Sequence, residues 1–364
     1  MPPILSYHPF KGIATLIFIL SAPPYLALLS LIYSVRAFRP IRKWSFKTAL
    51  GTAWLRLFYH YTVLVRLRPF YANPAKLKER YVLVHPGPSE IYTGVLNHDT
   101  IKPTPVPAIW FPKPPAGGEK APVVIHFQGG AFVAATDPVE TGELPSRIFK
   151  EKLGGATTFY AQYRVSRDDK TRFPAALQDA VTFYRYVLDQ NVDASNIIIS
   201  GDSAGGALVV ALLRYIEEHD TLLPSPRGVM AWSPWVDISH DAPSRYKTTP
   251  RLRTDFLPLS LPKWGREAYS PVLRTEQTEP YLTQSTHPFA TKTPLFLQAG
   301  TAELIYDEVR EFAEKMKSIK GNDICYWEVQ NAPHDIILAG GYTGFVKEAE
   351  EAAERAGEHF GLLG

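Results

Sequence analysis

Residues 197–206 read Ile-Ile-Ile-Ser-Gly-Asp-Ser-Ala-Gly-Gly. A short apolar run leads into a serine framed by glycines, and Ala204 to Glu218 behind it has the composition of a helix. A G-x-S-x-G sequence between a buried strand and a helix is a nucleophile elbow. The sharp turn lifts the Ser203 hydroxyl above the sheet edge, and Gly201 and Gly205 leave room for strand and helix to approach. The unpaired amides of the new helix point to the space beside Ser203, where negative charge develops during acyl transfer.

Outward from the elbow, strand-like and helix-like segments alternate. Strands are predicted at Val123–Phe127, Thr157–Tyr163, Ile197–Ser200, Val229–Trp232, Leu295–Gln298 and Ile324–Val329. Helices are predicted from Phe173-Pro174 to about Gln190, at Ala204–Glu218, at Asp307–Lys317 and at Gly344–Gly357. This order implies an α/β fold with a mostly parallel central sheet and helices on both faces. Alternation between Arg80 and Trp110 suggests antiparallel strands leading into the sheet. The stretch 237–281 is irregular, rich in Pro, Arg and aromatics, and reads as a lid insertion.

A serine needs a base, and the base needs an orienting group. With the order Ser, acid, His, His334 is the expected base, because Asn331-Ala-Pro-His-Asp directly follows the last predicted strand. Glu303, three residues past Gly300, is the expected orienting carboxylate; Asp307 is the alternative, though it is well placed to cap a helix. Ala204 and the glycines of Gln128-Gly129-Gly130-Ala131 are expected to supply the oxyanion amides. Phe132, Trp232, Trp235, Phe256 and Trp264 are expected to line an apolar pocket.

With 364 residues, 45 % of them hydrophobic, the chain can bury a large core. A net charge of +3 with no basic stripe interleaved with aromatics points away from nucleic acid. The single cysteine, Cys325, allows no intrachain disulfide or thiolate metal site; no metal or organic cofactor is implied. Ile13 to Val35 has no charge and suits a bilayer-spanning length, interrupted by Pro23 and Pro24, which are expected to kink or divide it. Arg36, Arg39, Arg42 and Lys43 follow, so a spanning helix would leave the rest of the chain cytosolic. A signal anchor or membrane-embedded hairpin, a cleaved signal peptide, and a helical cap on the main domain are the three readings. Ala49 to Val65, with Arg56 and His60, is amphipathic and suits a membrane surface or an active-site mouth. The expected division is residues 1–45 as anchor, 46–75 as helical cap, and 76–364 as catalytic domain.

Taken together, these segments resemble the hormone-sensitive-lipase-like branch of the α/β-hydrolases. The carriers are Gln128-Gly-Gly-Ala, Gln162-Tyr-Arg-Val-Ser with Phe173-Pro-Ala-Ala-Leu-Gln-Asp-Ala, Gly201-Asp-Ser-Ala-Gly-Gly, and Trp232-Ser-Pro-Trp-Val-Asp-Ile-Ser, in that order over residues 80–345. Two departures stand out: Gln128 replaces the motif's histidine and Ala131 its third glycine. The apolar leading segment makes the chain most similar to the steryl acetyl hydrolase type. The resemblance implies an α/β-hydrolase fold and a membrane-associated serine esterase, at the endoplasmic reticulum, that removes a short acyl group from a lipophilic alcohol. An acyl-transferring or cyclising tailoring enzyme, and a receptor without turnover, are the alternatives. The oligomeric state is left open.

Overall fold

The structure is a computed structural model that describes residues 3–67, 69–70, 72–115 and 121–363. Among the described residues, eight strands form one sheet in the order β1-β2-β4-β3-β5-β6-β7-β8. They are β1 (Tyr81–Val84), β2 (Val106–Phe111), β3 (Val123–Phe127), β4 (Thr157–Ala161), β5 (Ile197–Asp202), β6 (Gly228–Trp232), β7 (Leu295–Gly300) and β8 (Ile324–Val329). β1 and β2 pair antiparallel, as do β2 and β4; every later pairing is parallel. The two antiparallel strands come from the alternating stretch before residue 111; between them the chain makes 3-10 turns instead of further strands.

Among the described residues there are twelve helices: α1 (Phe10–Ser34), α2 (Phe46–Val65), α3 (Pro74–Leu77), α4 (Pro138–Lys152), α5 (Ala175–Asp189), α6 (Ala204–Glu218), α7 (Ala242–Thr248), α8 (Ser260–Tyr269), α9 (Glu279–Leu282), α10 (Tyr306–Ser318), α11 (Ile336–Thr343) and α12 (Val346–His359). Because side chains alternate across a strand, neighbouring residues enter different cores. Val124, Ile198, Met230 and Phe296 pack with α4 and α12. Ile125, Ile199, Val229 and Leu297 pack with α5, α6 and α10 on the other face.

Two regions depart from expectation. α1 runs through Pro23 and Pro24 as one continuous helix. The segment 237–281 is largely helical, carrying α7 and α8. Cys325 on β8 is half-buried.

Helix α2 forms as its sequence suggests. Ser45 caps it by accepting from the Thr48 N–H at 2.9 Å, and Arg66 ends it in the left-handed region. One side faces α1; the other lies over the carboxyl end of the sheet. Arg56 Nη2 donates there to the carbonyls of Leu252, at 2.8 Å, and Asp255. Gly51 packs so closely on the Tyr342 backbone that a Cβ would lie 2.1 Å from its carbonyl oxygen.

Candidate active site

Ser203 stands between β5 and α6 at φ 53°, ψ −114°, outside the regions an L-residue ordinarily adopts. The turn is held from both sides: the Ser203 N–H donates to the Trp232 carbonyl at 2.8 Å, and the Ser203 carbonyl accepts from Trp235 N–H at 2.9 Å. A Cβ on Gly205 would lie 2.0 Å from the Phe127 carbonyl oxygen, so glycine there permits the crossing of helix and strand.

His334 lies in the loop between β8 and α11, buried, with its Nδ1 3.0 Å from Glu303 Oε2. Glu303 follows β7; it is fully buried and its other oxygen accepts from the Gly300 N–H at 3.2 Å. Nδ1–H donation to Glu303 leaves the lone pair on His334 Nε2, which has no partner among the described residues. Ser203 and His334 line one cavity with Tyr59, Trp235, Phe256 and Ile305. Burial alone would lower the His334 pKa. The Glu303 hydrogen bond and charge, joined by Asp255 and Asp202, outweigh it, and the net direction is upward. Asp307 is elsewhere: its side chain is 61 % exposed and pairs with Arg251 at 2.6 Å. His219 and His359, outside the cavity, are half-buried against Tyr215 and Phe360.

Asp255 is a residue the sequence reading missed. Fully buried, it accepts from the N–H groups of Phe256 and His334 through Oδ1, at 2.7 and 3.1 Å, and from Leu304 N–H through Oδ2 at 2.6 Å. One carboxylate therefore ties the loop of the imidazole to the loop of Glu303. Nothing in its local sequence separates Asp255 from other loop aspartates.

The glycine-rich loop is arranged differently from expectation. The Gly129 N–H, expected to face the substrate oxygen, donates to Asp202 Oδ2 at 2.7 Å. Gly130, at φ 107°, and Ala131, at φ 52°, both line the cavity beside Ser203. Ala204 is the first residue of α6, where an amide lacks an intrahelical acceptor. The amides of Gly130, Ala131 and Ala204 have no acceptor among the described residues.

Behind Asp202 lies a buried polar chain. Trp232 Nε1 donates to Ser200 Oγ at 3.2 Å, Ser200 meets His126 Nδ1 at 3.0 Å, and His126 Nε2 lies 3.1 Å from Asp202 Oδ1. The Asp335 carboxyl is buried next to Asp202. Burial, then the Asp202 charge, push Asp335 well above the usual carboxylate range.

Of the five aromatics expected in the pocket, Trp235 and Phe256 line it. Trp232 points to the opposite face of the sheet, into the core with α4. Phe132 is buried in a stack on Tyr269 with ring centroids 3.7 Å apart, and Trp264 lies under the Arg66 guanidinium at 4.0 Å. Tyr59, on α2, takes a place the sequence reading left empty; it stacks on Phe256 at 5.6 Å, and Phe256 meets the His334 ring edge-on at 5.8 Å.

A family model described as alpha/beta hydrolase fold matches residues 124–338, more than half of the sequence. The chain belongs to that family. Among solved structures, this hydrolase is similar to an esterase from the bacterial hormone-sensitive lipase family, with a TM-score of 0.57 and 25 % identity, covering 70 % of this chain and 80 % of the other. Among curated proteins, the hydrolase is 29 % identical to an acetyl-hydrolase of Streptomyces hygroscopicus over 51 % of its own length and 59 % of the relative's. It is 25 % identical to steryl acetyl hydrolase 1 of Saccharomyces cerevisiae over 34 % and 30 %. The hydrolase thus spans about three-fifths or less of these curated relatives, and it stands in the hormone-sensitive-lipase-like branch.

Proposed function

We propose that this hydrolase is a serine esterase that removes a short acyl group, acetyl first among them, from a lipophilic alcohol. The observation that carries the reading is the shared cavity: Ser203 beside a buried imidazole whose far nitrogen is held by Glu303 and whose near nitrogen is unpartnered. Ser203 Oγ attacks the ester carbonyl and its proton passes to His334 Nε2. Glu303 holds the tautomer and balances the imidazolium. The amides of Gly130, Ala131 and Ala204 receive the oxyanion. The C–O bond to the alcohol breaks, His334 returns the proton to the departing oxygen, and a water deprotonated by His334 releases the acid.

The acetyl group is suggested by the names of the Streptomyces and yeast relatives, and the lipophilic alcohol by the yeast relative together with the apolar helix α1. That helix also supports association with a membrane, the endoplasmic reticulum in this reading. The test is labelling by a fluorophosphonate probe alongside hydrolysis of p-nitrophenyl acetate. The wild type is labelled and active, while Ser203→Ala loses the label and on the order of 10⁴-fold or more in turnover. An unlabelled, inactive wild type would refute the esterase.

A further inference from the structure

Helix α1 is long and apolar enough to cross a bilayer, with a mean hydropathy of 2.0 and only 6 % of its most apolar stretch buried. Leu16, Ile17, Ile19, Leu20, Leu28 and Leu31 are all more than half exposed. So continuous an apolar surface on a water-soluble domain marks a contact with something apolar. Its packing decides how that contact is made.

α1 folds back along α2. Thr15 Oγ1 lies 3.0 Å from the Tyr61 hydroxyl, and Phe18 stacks on Tyr61 at 4.3 Å. Further along, Tyr25 and Tyr33 share a groove with Ala49, Arg56 and His60. The two helices are therefore antiparallel neighbours over most of their length. Arg56, at the edge of that groove, and Gly51 and the Tyr59–Phe256 stack, on the far side of α2, fasten the helix to the catalytic domain. Trp44, just before α2, adds a bond from its indole N–H to the Asn331 carbonyl at 2.6 Å. If α1 stood upright in a bilayer, α2 and the loop around residues 250–256 would sit at the same depth. His60 and Arg253 in the groove, and irregular backbone in that loop, are costly in hydrocarbon.

Charge names the kind of surface. No acidic residue precedes Glu79, while Arg36, Arg42, Lys43 and Lys47 are exposed next to α1 and form no ion pair among the described residues. The apolar side that α1 leaves exposed suits lipid tails, and the basic flank beside it suits anionic headgroups.

We propose that α1 lies flat in the interface of an anionic membrane leaflet, with both of its ends on one side of the bilayer and α2 between the lipid and the catalytic cavity. The inference rests on the membrane association proposed above and fixes its geometry.

The full chain carrying Cys325→Ser, with Ser6→Cys or Ser34→Cys at opposite ends of α1, is expressed and sealed microsomes are treated with a membrane-impermeant maleimide. The hydroxyls replaced bond only to local carbonyls, so the changes are mild. Both cysteines are expected to react alike before detergent. Reaction of one end only after detergent means that α1 crosses, and overturns the inference while leaving membrane association standing. A chain found in the soluble fraction defeats both. Independently, the purified chain should float with phosphatidylcholine vesicles that contain phosphatidylserine, and Arg36→Gln/Arg42→Gln/Lys43→Gln/Lys47→Gln should weaken flotation by about tenfold or more. Equal flotation of that variant, or none of the wild type, contradicts docking on an anionic leaflet.

Discussion

Two carboxylates compete in the sequence for one role, and at the scale of single residues their surroundings separate them. Glu303 is buried against His334, whereas Asp307 stands in solvent beside Arg251. Glu303→Gln should lower kcat by roughly 10³–10⁴-fold, and Asp307→Asn should leave it within about twofold, since an exposed ion pair contributes little. The pH dependence carries a sign. The base must be neutral, so activity is lost as pH falls through the His334 pKa, which Glu303 raises. Removing that charge lowers the pKa, so the acidic limb of kcat/KM for Glu303→Gln moves to lower pH; a limb that moves upward or stays fixed would break the link. Ala131 gives a second residue-scale prediction. It holds φ 52° where the related motif has glycine, a conformation that costs an L-residue about 1–2 kcal/mol. Ala131→Gly should raise the thermal midpoint by a few degrees, read by calorimetry. The serine, imidazole and Glu303 are all recognisable in the sequence because each follows a strand in a fixed order. Asp255, His126 and Asp335 are not: their importance comes from meeting partners 49 to 133 positions away in the chain, as with Asp255 and Leu304 or Asp202 and Asp335.

Among the elements, α2 contributes the wall between the cavity and its neighbour. Tyr59 and Gly130 border two cavities: one holds Ser203 and His334, and the other holds Gln128, Thr141 and Tyr160. The Tyr59 ring is the side-chain part of the wall between them. Tyr59→Ala should merge the two spaces and shift the preference among p-nitrophenyl esters from acetate toward butyrate and octanoate, with the change seen in kcat/KM ratios. Tyr59→Phe, which keeps the ring, should retain the wild-type ranking. The amphipathic pattern of residues 49–65 already allowed a position over the active-site mouth, but periodicity gives no partner, and Tyr59 emerged only once the far face of α2 met Phe256. Helix α4 escaped the sequence reading altogether. Pro145 in its middle and few apolar positions argue against a helix, yet Asp137 caps it and Ile148 and Phe149 bury fully beneath it. Tertiary burial outweighed local propensity there, and in α1 the same conflict between Pro23-Pro24 and helix resolved toward one continuous element.

For the molecule as a whole, the sheet and its helical layers were readable because strand and helix patterns alternate, and a parallel sheet buried on both faces leaves continuous Ile and Val runs such as Ile197–Ile199. Orientation toward a membrane was not readable, since length and hydropathy alone cannot tell a helix that crosses from one that lies down. The pairing of α1 with α2 supplies that information. It has a kinetic corollary. A catalyst resting on a leaflet with its roof helix against the lipid meets substrate in two dimensions, so its velocity tracks the mole fraction of ester in the surface. Adding inert lipid at constant total ester would slow it by surface dilution, whereas a water-soluble ester would be turned over at a rate indifferent to the lipid present.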